Sequence, residues 1–187
     1  MEEVEKTESE QFTEKANGVL FSAWYYSSPR GPSPVEPEHI LLALLLVDPE
    51  LFRLLSPTGK DQIEDIRSDL KAFNPRRRKS WGSEKGPPPL SPSSTEIIAL
   101  AASWSRRLGH DYIGTEHLLL GLIESRTSGL SGEKLPSRVS EILTSRGFSV
   151  ERVEAEVRAG TIIQRAAHSK CELVLGGIGA PSHNLGG

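Results

Sequence analysis

The segment EPEHILLALLL at 36–46 returns as GTEHLLLGLI at 114–123, with Glu38-His39 matching Glu116-His117 at an offset of 78 residues. The same offset pairs Phe12-Thr13 with Leu90-Ser91, Val19-Leu20 with Ile97-Ile98, and Ala23 with Ala101. Beyond residue 125 the register moves by the length of a loop, 125–136, and then Leu54-Leu55 pairs with Ile142-Leu143. Ile63, Ile66 and Leu70 pair with Val150, Val153 and Val157. A register held this long is the mark of a tandem duplication, which limits the fold to two similar units burying their apolar faces together.

Each copy reads as helical, because apolar residues recur at three and four positions and strand-like alternation is absent. Helices are expected at about 13–27, 37–46, 49–56 and 61–72 in the first copy, and at 92–108, 115–124, 136–145 and 150–159 in the second. Thr13 and Ser91 are candidate N-caps, and Pro92 suits a first helical turn because its missing N–H has no partner there in any case. Asp48-Pro49-Glu50 has the same form, and Asp61 with Glu64 has capping-box spacing. The second helix of each copy is apolar nearly all round and should form the buried centre of its bundle. The expected fold class is therefore all-α, a duplicated four-helix repeat.

The remaining residues divide by composition. Residues 1–11 form an acidic leader, with five Glu and one Lys among the first ten, and have neither the apolar core of a signal peptide nor the Arg-rich character of a transit peptide. Repeat one covers 12–73. Pro75, Pro87, Pro88 and Pro89 surround the basic run Arg76 to Lys79, so 74–90 reads as an extended linker. Repeat two covers 91–159, and the Gly-rich stretch 160–187 is expected to be a flexible tail. The longest apolar run, Ile40 to Val47, is far short of the ~20 residues of a membrane-spanning helix, so a cytoplasmic protein without a membrane partner is expected.

Little in the chain suits catalysis. Cys171 is the lone cysteine, which excludes an intrachain disulfide and a CxxC site. No GxSxG elbow occurs, and Gly59-Lys60 is followed by Asp61 without the upstream glycine of a phosphate loop. His39 and His117 each sit beside a glutamate, but adjacent helical residues diverge by about 100° and chelate poorly, unlike two histidines at i and i+4. Neither a catalytic residue, a metal nor a cofactor is expected. The net charge of −3 and the shortness of the 76–79 run make nucleic-acid binding a minor alternative. Trp24, Tyr25 and Tyr26 cluster near the end of the first helix and offer a possible partner patch, part of it core.

LSPSSTEIIALAASWSRRLGHDYIGTEHLLLGLI at 90–123 resembles the N-terminal repeat domain of Clp ATPases, the unfoldase partners of the Clp protease. Its GHDYIGTEHLLLGL core is similar to the ClpC type, and FTEKANGVLFSA at 12–23 resembles the opening of the first repeat. The resemblance implies two four-helix repeats related by a pseudo-two-fold axis. Without the ATPase modules of that family, the expected role is a non-enzymatic accessory or adaptor that binds the Clp ATPase, the Clp protease core or marked substrate proteins. A stand-alone module that sequesters the chaperone's ligand is the alternative.

In the ClpC type this domain binds phosphorylated arginine, a degradation mark, once per repeat. The resemblance implies a Thr or Ser at the start of the first helix against the phosphate, and the Glu of the TEH motif on the guanidinium. By sequence order the sites are Ser91, Thr115 and Glu116 in repeat two, and Thr13 with Glu38 in repeat one. Helix N-termini attract anions and a carboxylate can pair bidentately with guanidinium, so the chemistry is sound; the plain alternative is that these are helix caps and first-turn acids. Copy one departs from the pattern. Pro37 replaces Thr115, Glu36 replaces Gly114, and the added carboxylate would repel a phosphate.

Overall fold

In a computed structural model of the chain, the structure describes residues 11–27, 34–58, 60–71, 89–128 and 134–162. Eight helices lie in these stretches: α1 (Glu14–Ser27), α2 (Pro37–Val47), α3 (Pro49–Leu55), α4 (Ile63–Lys71), α5 (Pro92–Leu108), α6 (Thr115–Glu124), α7 (Arg138–Ser145) and α8 (Val150–Arg158). Residues 1–10 of the expected leader, the basic run 76–79, most of the linker, and residues 163–187 of the expected tail, with Cys171, lie outside the described residues.

The caps account for where the helices begin. Thr13 Oγ1 accepts the N–H of Ala16 at 3.2 Å, and Ser91 Oγ accepts that of Ser94 at 3.2 Å. Asp61 accepts from the N–H of Ile63 at 3.0 Å, so α4 starts two residues later than the sequence suggests. Glu64 pairs with Arg67 at 2.6 Å instead of closing a capping box on Asp61. Pro136 is taken up in a strand and Ser137 becomes the cap of α7, its Oγ accepting from the N–H of Ser140 at 3.1 Å. At the other end of α5, Gly109 adopts φ +75°, the left-handed conformation that a glycine after a helix supplies without strain.

α2 and α6 form the centre. α2 packs on α1, α3 and α4 of its own repeat and on α5, α6 and α7 of the other; α6 packs on α5, α7 and α8 and across on α1 and α2. α3 against α8 and α4 against α7 repeat the same exchange. The result is a single apolar core running through both repeats, which includes Ile40, Leu41, Leu44, Leu55 and Ile66 from the first and Ile97, Leu118, Leu119, Leu143 and Val153 from the second. α6 crosses α5 at Gly121, where an added Cβ would lie 2.6 Å from the Ile97 carbonyl oxygen. Phe52 of α3 meets Phe148, just ahead of α8, edge-on with ring centres 5.6 Å apart. On the outside, Arg146 reaches Asp69 at 2.7 Å and Asp65 at 3.0 Å on α4.

Among the described residues four short strands accompany the helices, none of them foreseen from the sequence. β3 (Arg126–Ser128) and β4 (Lys134–Pro136) pair antiparallel within the loop that lengthens copy two. β1 (Gln11–Phe12) pairs parallel with β2 (Tyr112–Ile113), matching Phe12 to Ile113. Its counterpart is a bridge between Val35 and Leu90. Segments of two or three residues are too short to show a period of two, so the helical pattern hides them.

These last pairings are reciprocal. Phe12 and Leu90 are equivalent under the 78-residue offset, as are Val35 and Ile113. Thr13 N donates to Ile113 O at 2.9 Å, and Ser91 N donates to Val35 O at 3.0 Å. The segment leading into each repeat is therefore held by the other repeat.

Candidate functional site

This exchange regroups the candidate residues. Ser91 does not join Thr115 and Glu116: its backbone is bonded to Val35, directly ahead of Glu36 and Glu38, and Ser94 Oγ donates to the same Val35 carbonyl at 2.6 Å. Thr13 does not join Glu38: it is bonded to Ile113, directly ahead of Gly114, Thr115 and Glu116. The sequence-order grouping is corrected to two cross-repeat junctions, one from Thr13 with Thr115 and Glu116, the other from Ser91 with Glu38. The reason is the parallel pairing of each leading segment with the strand before the partner repeat's central helix.

At the first junction, a polar chain links the repeats. Lys15 Nζ donates to Asp48 Oδ1 at 3.0 Å, and Thr115 Oγ1 donates to Asp48 Oδ2 at 2.7 Å. Asp48 is buried, whereas the Lys15 side chain is 54% exposed. Asp48 precedes α3 but makes no side-chain cap to it; its carboxylate is turned to this junction.

Glu116 follows in the first turn of α6 and is buried, with 1% of its surface exposed. Its Oε2 has no hydrogen-bond partner among the described residues. Burial pushes its carboxyl up to about 7, its own backbone N–H pulls the other way, and the charge of Asp48 raises it further against the opposing pull of Lys15. The group can come so far in because residue 114 is glycine: a Cβ there would stand 2.6 Å from the carboxyl carbon and closer still to both oxygens. Gly114 has φ −96° and ψ 179°, open to any residue, so space and not conformation requires the glycine.

His117 completes the start of α6. Its Nδ1 accepts the N–H of Gly114 at 2.8 Å, as His39 Nδ1 accepts that of Glu36 at 2.9 Å. The neutral ring therefore keeps its proton on Nε2 and donates it to His110 Nδ1, 3.0 Å away. His110 stacks on Tyr112 with ring centres 4.9 Å apart. Burial, helped by His110, lowers His117 to about 3, so its 3.4 Å approach to Glu116 Oε1 is the contact of a neutral ring and not an ion pair. Burial also lowers His110 and raises Tyr112.

His110, Glu116 and His117 bring ligand atoms within 4.8 Å of one another, a grouping that could hold a metal ion. The tautomer argues against that use. His117 Nδ1 is occupied by Gly114 and Nε2 bears the proton, so coordination would require breaking the helix cap. The repetition of this cap at His39 assigns both histidines to helix starts.

The second junction is different in kind. Glu38 is half-buried; burial raises its pKa, Glu36 adds to the rise, and its own backbone N–H and Arg138 oppose it. Ser91 is buried in a hydroxyl pair, with Ser91 Oγ donating to Ser94 Oγ at 3.2 Å. Of the aromatic patch, Trp24 and Tyr26 pack partly against the core, and Tyr25 is 67% exposed. Phe21, one turn earlier, is 66% exposed, and the sequence reading missed it; its i to i+4 spacing with Tyr25 was the available signal.

The fold and the junctions define an all-α tandem-repeat domain whose halves share one core and exchange their leading segments. Residues 11–132 match the family described as the Clp repeat (R) N-terminal domain. The chain belongs to this family. It is 31% identical over 148 residues to the ATP-dependent Clp protease ATP-binding subunit ClpA homolog of Porphyra purpurea, covering 79% of this chain and 17% of that protein. It is 30% identical over 169 residues to the chloroplastic ClpA homolog CD4B of Solanum lycopersicum, covering 87% of this chain and 18% of that protein. The chain thus spans less than a fifth of these relatives' length. The Hsp104 N-terminal domain of Candida albicans has the same fold, with a TM-score of 0.61 at 17% identity, over 84% of this chain and 95% of that one. Among the described residues no helix is long and apolar enough to cross a membrane.

Proposed function

We propose that this chain is a recognition module of Clp chaperone and protease machinery, binding marked substrate protein or a component of the machine, with a phosphoarginine-like group received at Glu116. The observation behind the ligand reading is the buried Glu116 carboxyl with Oε2 unpartnered. A buried acceptor without a donor costs roughly 1–3 kcal/mol, which a guanidinium would offset with charge-assisted hydrogen bonds. A phosphate attached to it would find the first turn of α1, where Thr13 is bonded to the strand leading to Glu116, and the cation of Lys15. Thr13 and Thr115 serve this site by fixing its walls, since both hydroxyls are committed to protein partners.

Calorimetry with phosphoarginine tests the ligand: binding by the native protein and its loss in Glu116→Ala are expected, and a native protein that takes up no phosphoarginine refutes it. Co-purification from lysate with a Clp ATPase or protease core tests the partner, and the intact protein should retain one of them. Phe21 and Tyr25 supply an exposed aromatic surface that such a contact could use.

A further inference from the structure

The two junctions descend from one another by duplication and start from nearly the same backbone. Glu36 has φ −91° and ψ 161°, and Gly114 has φ −96° and ψ 179°; each donates its N–H to the histidine three residues on. A Cβ at residue 36 therefore stands where one would stand at residue 114. At 114 that position lies 2.6 Å from the carboxyl carbon of Glu116, well inside van der Waals contact. Glu38 cannot fold its carboxyl against the start of its helix as Glu116 does, because the Cβ of Glu36 already occupies the place. The observed burial agrees: Glu116 is 1% exposed with an unpartnered oxygen, whereas Glu38 is only partly buried and lies within the field of Arg138. Ser91 and Ser94 are bonded to each other and to the Val35 carbonyl there, as Thr13 and Thr115 are committed to protein partners at the first junction, so the hydroxyls do not distinguish the two.

From this we infer that the chain takes one guanidinium-bearing ligand, at the junction headed by Glu116, and that the residue at 36 or 114 decides which of the two glutamates can fold its carboxyl into its junction. Glycine leaves room for the carboxyl of the glutamate two positions on; any side chain there expels it. The duplicated fold thus keeps a single working site built from both repeats, with Thr13, Lys15 and Asp48 contributed by the first and Gly114, Thr115 and Glu116 by the second. This rests on the ligand reading above and adds to it the stoichiometry and the residue that sets it.

The test uses the full chain and two exchanges of that residue, Glu36→Gly and Gly114→Glu, with phosphoarginine as the calorimetric probe. The native protein should bind one equivalent, Glu36→Gly two, and Gly114→Glu none while keeping its helical circular dichroism. Two equivalents on the native protein, or full binding by Gly114→Glu, would overturn the inference. A ligand-independent readout separates it from the ligand reading. In Glu36→Gly, carbon-detected NMR should show the Glu38 carboxyl titrating higher than it does in the native protein. If Glu38 keeps its native titration in that variant, the inference fails even where the native protein binds phosphoarginine; if the Glu38 carboxyl moves and nothing binds, the ligand reading and the stoichiometry built on it fall together, and only the packing role of residues 36 and 114 stands.

Discussion

Replacing the Glu116 carboxyl by the isosteric amide, Glu116→Gln, should make the protein more stable at neutral pH and leave it unchanged in acid. Burial raises this carboxyl from 4.5 to about 7, so the folded protein holds a proton that the unfolded chain has released. A group raised in this way is harmless below pH 4.5 and costs stability as pH rises through the window up to about 7. At 1.36 kcal/mol per unit, the full cost above pH 7 is about 3 kcal/mol. His117 works in the opposite direction, lowered from 6.5 to about 3, so its burial costs stability as pH falls through that range. Between 4.5 and 6.5 the two slopes cancel, and the native protein should show a plateau there. Urea unfolding of both proteins from pH 4 to pH 8 isolates Glu116, because His117 is common to both. The difference should be near zero at pH 4.5 and grow to about 3 kcal/mol in favour of the amide by pH 7.5. A constant difference across this range would refute the assignment of a buried, proton-holding carboxyl.

Gly121→Ala should cost about 1–3 kcal/mol in urea unfolding, since its Cβ would press on the Ile97 carbonyl oxygen where α6 crosses α5. Asp48→Ala should leave the Thr115 hydroxyl and Lys15 without their carboxylate, destabilise by about 1–3 kcal/mol, and move the Glu116 titration downward, because a like charge is removed while Lys15 remains. NMR titration of the Glu116 carboxyl checks the direction. Arg146→Ala removes ion pairs to Asp65 and Asp69 that are partly open to solvent, so it should cost no more than about 1 kcal/mol, and less at high salt.

Much of the architecture could be read in the chain because its causes are local. Thr13, Ser91 and the prolines at 37, 49 and 92 mark helix starts within a turn of themselves, and the apolar spacing of Ile63, Ile66 and Leu70 shows which side of α4 is buried. Glu116 stood out by its place in the repeated motif. Its surroundings did not, because Lys15 and Asp48 are brought to it by packing between repeats. His110 lies seven residues before His117 and meets it at 3.0 Å because the turn after Gly109 folds the chain back, a contact that the spacing does not announce. The difference between Gly114 and Glu36 was visible as added charge; that it also decides whether a carboxyl has room is a matter of a few tenths of a nanometre, and needs coordinates.

The sequence by itself determined a duplicated, mainly helical chain, since an offset of 78 and a helical period survive without any knowledge of what touches what. It could not determine which half owns which site. Phe12 beside Val35 and Leu90 beside Ile113 would satisfy that offset as well as the pairing found, Phe12 beside Ile113 and Leu90 beside Val35. A repeat in sequence records that two contacts are equivalent, not whether each closes within one copy or between the two. Only the packing of α2 and α6 into one core decided for the exchange, and with it placed the buried carboxyl of one repeat at the helix start of the other.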